Sequence, residues 1–184
     1  MPEEFISKSA YLHYPARHFS ICKEIEFRFS INMTWAEGFG SSEKKFSIEI
    51  IPTPLVASIL GGSKRTVGSD VIAQIDASKS VDPDEPDEPD EPGSNFEFAW
   101  FCSFKGSKLP ENISSTETKN PCFGYAPGQL TDFNETKIIK LNTSMAIPNS
   151  TYTIRFIMAK SGRQSFKDQN IELVPGDPPD MSIE

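Results

Sequence analysis

At 184 residues, with a formal net charge of −8 and a mean hydropathy of −0.38, the chain is large enough for one big domain or one domain and part of another. Asp82, Asp84, Glu85, Asp87, Glu88, Asp90 and Glu91 supply almost all of that charge, so the remainder is near neutral, lacks a basic patch and argues against nucleic acid as a partner. The 14 Phe, 15 Pro and 11 Gly, with no segment of helical apolar periodicity, indicate an all-β protein, and apolar clusters such as 54–60 are too short to span a bilayer.

Residues 1–20 mix aromatic and polar side chains and hold both histidines, His13 and His18. No Cys, Asp or Glu stands at a supporting ligand spacing, so they read as partly exposed histidines near a terminus. The start MPEEF lacks the basic and apolar parts of a signal peptide, which suggests a piece of a longer chain. Beyond it, Ile25, Phe27, Phe29, Ile31 and Met33 alternate with Glu26, Arg28, Ser30 and Asn32, the pattern of a half-buried antiparallel strand. Residues 36–45 are expected to turn, Phe46, Ile48 and Ile50 alternate again, and Pro52 and Pro54 end that strand.

Two short apolar runs follow, 55–60 and 71–77, joined by a connector containing Gly and Ser. In the second, Val71, Ala73, Ile75 and Ala77 lie on one face of a strand. The connector's Gly61-Gly62-Ser63-Lys64 lacks the spacing of a phosphate loop. Next comes the run DPDEPDEPDEP, inside an acidic, Pro-rich loop at 82–95. Repelling carboxylates and fixed proline φ angles predict an extended, solvated surface loop. The alternative is a calcium site on Asp82 and Asp84, although no EF-hand spacing is present.

Phe96, Phe98, Trp100, Cys102 and Phe104 share one face of the most core-like strand, and Ala99 and Phe101 keep the other fairly apolar. A central strand of a two-sheet sandwich reads this way. Residues 105–129 form a long excursion carrying Cys122, and 137–141 are a short strand. Tyr152, Ile154, Phe156 and Met158 alternate, 159–167 are expected to turn, and 170–174 return before Pro175, Pro178 and Pro179. Tyr152 stands where immunoglobulin-like sandwiches place a corner tyrosine; simple packing at a strand start is the equal alternative.

The segments beginning FRFSINM and IRFIMAK share one order of events: strand, turn, strand, Pro-rich hinge and short apolar start. This weak repeat leads to an expected division into three parts. Residues 1–51 are the C-terminal strands of a preceding sandwich, 52–176 a complete sandwich, and 177–184 the start of a following domain. The fold class is all-β: tandem immunoglobulin-like or fibronectin-type β-sandwiches, one complete and one partial.

Sequons mark the compartment. Asn-x-Ser/Thr occurs at Asn32, Asn112, Asn134, Asn142 and Asn149, five of the eight asparagines, which points to a glycosylated extracellular protein. In that setting Cys102 and Cys122 are expected to pair, leaving Cys22 to bond an upstream cysteine or remain free. Three scattered cysteines lack zinc-site spacing, and no motif of nucleophile, base or metal chemistry is present, so no catalytic residue or cofactor is expected.

The succession PLVASILGGSKRTVG, IDASKSVDPD and FAWFC resembles the receptor-for-egg-jelly (REJ) module of the polycystin family. Asp76-Ala77-Ser78, Ser80, Asp82-Pro83-Asp84 and Trp100-x-Cys102 carry the match, and the same segment is similar to polycystic-kidney-disease repeats. The acidic Pro repeat lengthens the loop after Asp84, a departure from the pattern. The resemblance implies a non-catalytic extracellular module of a multi-pass membrane receptor or cation-channel protein, at the plasma membrane or cilium or on sperm. It would sense a protein or glycan ligand, adhere, or space its neighbouring domains, and meet the membrane only through its parent protein. The alternatives are a calcium-dependent binding module and an accessory sandwich of a secreted hydrolase.

Overall fold

The computed structural model describes residues 23–85, 96–104, 106, 108–114, 122–123 and 136–176. The chain divides into two compact units, Met1–Thr53 and Pro54–Glu184. Cys22, the two histidines, Asn134, residues 86–95 and residues 177–184 lie outside the described residues.

In the first unit the alternating segments become β1 (Glu24–Trp35) and β2 (Gly38–Glu49), one antiparallel hairpin. The turn is only Ala36-Glu37, not the ten residues expected. The polar stretch 41–45 is instead strand, supplying Lys45 opposite Arg28 and Glu43 opposite Ser30. On the other face Phe27 stacks on Phe46 at 5.2 Å. A Cβ at Gly38 or Gly40 would meet the Trp35 ring at 3.0 or 3.1 Å, so these two glycines leave room for the indole to lie across the hairpin.

The second unit is a β-sandwich. One sheet has the order β3-β8-β7-β5, and the other pairs β4 with β6. The strands are β3 (Lys64–Gly68), β4 (Ile72–Asp76), β5 (Phe96–Phe104), β6 (Ile138–Asn142), β7 (Thr151–Lys160) and β8 (Arg163–Val174). Alternation delivers Ala73 and Ile75 of β4, and Ile139 and Leu141 of β6, into one core with Trp100, Cys102, Ile154, Phe156, Met158, Ile171 and Leu173. Trp100 is fully buried, sits 4.8 Å from the Phe156 ring, and donates its Nε1–H to the Thr136 carbonyl at 2.8 Å.

Two sequence expectations fail here for physical reasons. Lys64–Gly68, read as a connector, is a strand that pairs parallel with β8. The apolar run 55–60 contributes only the isolated bridge Val56↔Val81. Apolar content marked the wrong segment because Leu55 and Ile59 fill the core without a ladder, whereas β3 is mostly polar. The turn expected at 159–167 is only Ser161-Gly162, with φ of 50° and 76°, the left-handed pair that a two-residue hairpin demands.

β5, expected as a central strand from its two apolar faces, instead stands at the end of the described sheet, and its outer face is buried by a loop rather than by position in the sheet. Leu109 and Ile113 fold back over Ala99, Phe101 and Ile157, building a second, smaller core on the outer face of the sheet. Arg155 holds this strap down: its guanidinium reaches the Leu109 and Pro110 carbonyls at 3.2 and 2.8 Å and lies 4.0 Å over the Phe166 ring. Asp168 pairs with it through two hydrogen bonds of 2.7 and 2.8 Å.

Candidate functional site

The segment from Asp76 to Glu85 draws together contacts from across the sandwich. Asp76 Oδ1 accepts the Ser78 N–H at 2.8 Å, closing a tight turn after β4. Ala77 is wholly buried, where a larger side chain would not fit without displacement. Ser80 is equally buried; its Oγ accepts the Ser58 N–H at 2.9 Å and donates to the Ser58 carbonyl at 3.0 Å. Lys137 Nζ closes the same corner on the Ser80 carbonyl at 2.9 Å.

Asp82 is 1% exposed, which corrects the expectation of a solvated run for the start of the acidic loop. A buried carboxylate requires a partner, and Arg163, just past the β7–β8 turn, provides it. Arg163 Nη2 donates to Asp82 Oδ2 at 2.7 Å, and Nη1 to Asp82 Oδ1 at 3.2 Å and Asp84 Oδ2 at 3.0 Å. Buried Lys160 donates to Glu85 Oε2 at 2.6 Å, lies 3.7 Å from Asp82 Oδ2, and sits 4.4 Å over the Phe96 ring. The hydrogen bond to Asp82 is the main cause that raises the Arg163 pKa; burial opposes it, and the nearby charges of Asp82, Asp84 and Glu85 add to it.

These contacts give the carboxylates of Asp82 and Asp84 a defined occupation. A bidentate arginine fits a carboxylate geometrically and matches its charge. Among the described residues no group of three His, Cys, Asp or Glu is placed to hold a metal ion. Chemically, the cluster can fix position: it ties the start of the acidic loop to the β7–β8 turn, 81 residues later in sequence. Sequence reasoning missed Arg163 and Lys160. The only available signal was that a run of carboxylates entering a core strand needs cations somewhere, and Arg163 flanks the one Ser-Gly turn.

The other sequence-predicted residues fall elsewhere. Cys102 and Cys122 form a disulfide with Cα atoms 6.0 Å apart, both sulfurs inside the core. Tyr152 stacks between Phe104 and Phe123 at 5.0 and 4.5 Å, and its hydroxyl accepts the Ile147 N–H at 2.9 Å, a bond back across the turn before β7. Ser150 donates to the Ile147 carbonyl in the same turn. Asn32, Asn112, Asn142 and Asn149 are all exposed. Asn112 and Asn142 each use Oδ1 to accept the N–H of the sequon serine, Ser114 at 2.9 Å and Ser144 at 3.1 Å.

The profile of the REJ domain matches residues 12–184. Among solved structures, one match is a nucleoside hydrolase-related hypothetical protein from Saccharophagus degradans associated with carbohydrate metabolism, at 12% identity and a TM-score of 0.41 over 67% of this chain. Another is the FN1-FN3 domains of chicken CNTN1, at 16% identity and a TM-score of 0.36 over 84% of this chain. The chain spans 26% of the first of these and 46% of the second.

Proposed function

The chain belongs to the REJ domain family, and we propose that it serves as a non-catalytic extracellular module of a polycystin-type membrane protein. REJ domains are associated with polycystin-family proteins, in which they are extracellular, and no described helix is long and apolar enough to cross a membrane. The observation that carries the reading is the family match, which runs through both compact units and includes the tied segment Asp76–Asp84.

On this reading the module spaces and orients its neighbours and offers its surface to a protein or glycan ligand, with N-linked glycans at the exposed sequons. The first unit supplies the last strands of a preceding sandwich, whose other strands cover the hairpin's apolar face. Sensing or adhesion at the plasma membrane, cilium or sperm surface, and membership of a cation-channel complex, would come through the parent protein. Sequencing the parent transcript tests the proposal: multiple membrane spans downstream are expected, and a hydrolase domain beside this segment would overturn it.

Calcium at Asp82 and Asp84 would have to displace Arg163 from both carboxylates. Thermal unfolding with and without millimolar calcium is therefore expected to give the same midpoint. An upward shift that Asp82→Asn abolishes would assign these carboxylates to an ion instead.

A further inference from the structure

On the outer face of the four-stranded sheet lies a cleft of about 390 Å³, open to solvent. Glu97 of β5 and Ala159 of β7 are paired in register and both line it. Lys160, the Ser161-Gly162 turn and the first two residues of β8, Arg163 and Gln164, line it from the same hairpin, and Asn112 and Ile113 from the loop that straps the sheet. A modification acceptor, a sequon asparagine, is thus part of the lining of a concave surface.

The sequon is held in place rather than left on a loose tip. Ile113, its middle residue, packs against the small core of Ala99, Phe101, Leu109 and Ile157. Gln164 Nε2 donates to the Glu111 carbonyl at 3.1 Å, tying the preceding residue to the far rim of the cleft. Asn112 Oδ1 is engaged with the Ser114 N–H, which leaves Nδ2, the atom that carries an N-linked sugar, available beside the cleft. The lining mixes apolar area from Ile113 and Ala159 with the polar groups of Glu97, Ser161 and Gln164, and its two cations, Lys160 and Arg163, are engaged by Glu85 and Asp82. An acetamido sugar has the matching character, an apolar methyl and ring face edged by hydroxyls. The volume lies at the lower end of the roughly 300–1,000 Å³ that small-molecule sites occupy.

We propose that the first N-acetylglucosamine of a glycan on Asn112 docks in this cleft, so that the sugar acts as a fixed part of the fold that clamps the 108–114 strap to the β7–β8 turn. This rests on the reading of the sequons as glycosylated. Asn142 is the internal comparison, since its side chain makes the same hydrogen bond but does not line the cleft.

The chain is secreted from a glycosylating host and each sequon's occupancy is read by mass spectrometry of glycopeptides. The folded protein is then treated with a peptide N-glycosidase and release is followed site by site. Docking predicts that Asn112 is occupied and released about tenfold more slowly than Asn142 or Asn149, the protection expected of a group that must first undock. Ala159→Leu, which fills the floor, should remove that protection with occupancy unchanged. Ser114→Ala removes the sugar but keeps the backbone N–H, and should lower the thermal midpoint by about 2–4 °C. An occupied Asn112 that is released as fast as the other sites overturns the docking alone. An unoccupied Asn112 overturns the glycosylation reading at that position, and the docking with it.

Discussion

The hairpin of β1 and β2 and the hairpin of β7 and β8 are written in the same pattern and buried to opposite extents. Phe29, Ile31, Met33 and Trp35 are 44–57% exposed, whereas Ile154, Phe156 and Met158 are at 0%. Both are antiparallel with two-residue turns, and both carry apolar side chains at every second position of one face. The difference lies in what faces them: β7 meets β4 and β6 across a core, and β1 has no opposing sheet among the described residues of its unit. Alternation therefore reports that a strand has two unlike faces, and does not report whether the apolar one is covered. A two-stranded hairpin with an open apolar face is marginal in water, which is why the first unit is expected to need strands from beyond it.

The largest losses are expected at the centre of the sandwich. Trp100→Ala removes a fully buried indole, its contact with Phe156 and a hydrogen bond to Thr136, and is expected to cost about 3–5 kcal/mol in urea unfolding. Removing the disulfide by Cys102→Ala with Cys122→Ala should cost about 3 kcal/mol, chiefly by freeing the unfolded chain across a separation of 20 residues. A loss below about 1 kcal/mol in either case would mean that this core does not hold the second unit together.

Next in size is the buried charge. Asp82→Asn leaves Arg163 and Lys160 facing one carboxylate fewer in a region shielded from water, and should cost about 2–3 kcal/mol. Because the Arg163 pKa is raised on folding, its contribution is complete at all physiological pH values and is lost only as pH rises through that elevated value in strong alkali. The loss on Asp82→Asn should thus be the same at pH 7 and pH 9. A stability difference between those two pH values that disappears in the variant would show another group titrating within the cluster.

The sequence made the strands with their own apolar face legible: β1, β4, β5 and β7 follow from period two, and β6 was read as a short strand. It hid β3, whose Lys64, Arg65 and Thr66 belong to a sheet edge and carry little apolar signal. It also hid the true turn lengths, since the exposed halves of β2 and β8 are polar and look like loop. The sandwich's most informative charged residue was misread for a related reason. Asp82 begins a run that is solvent-like in composition, while the arginine that makes its burial tolerable lies 81 residues away. Partnership across such a distance leaves no local pattern. The disulfide was easier, because it joins two residues whose type announces the interaction, whereas the Tyr152 hydroxyl bonds the Ile147 backbone N–H, and the sequence left that bond and simple packing as equal alternatives.

The smallest loss is expected in the exposed hairpin. Ile31→Ser in the hairpin removes an apolar side chain that is 44% exposed, so in this chain the change in unfolding free energy should stay within about 0.5 kcal/mol. The same substitution on the alternating apolar face of β7, Ile154→Ser, removes a side chain at 0% exposure and leaves a hydroxyl in a core, and belongs with the Trp100 class. In a longer piece of the parent protein that includes the residues upstream, the two should converge. If strands from that region cover the β1–β2 face, Ile31→Ser should rise to about 2 kcal/mol there, the value of a newly buried aliphatic side chain. An unchanged small effect in the longer piece would mean that the face is open in the parent too, and the first unit would then be a free apolar surface rather than the end of a preceding sandwich.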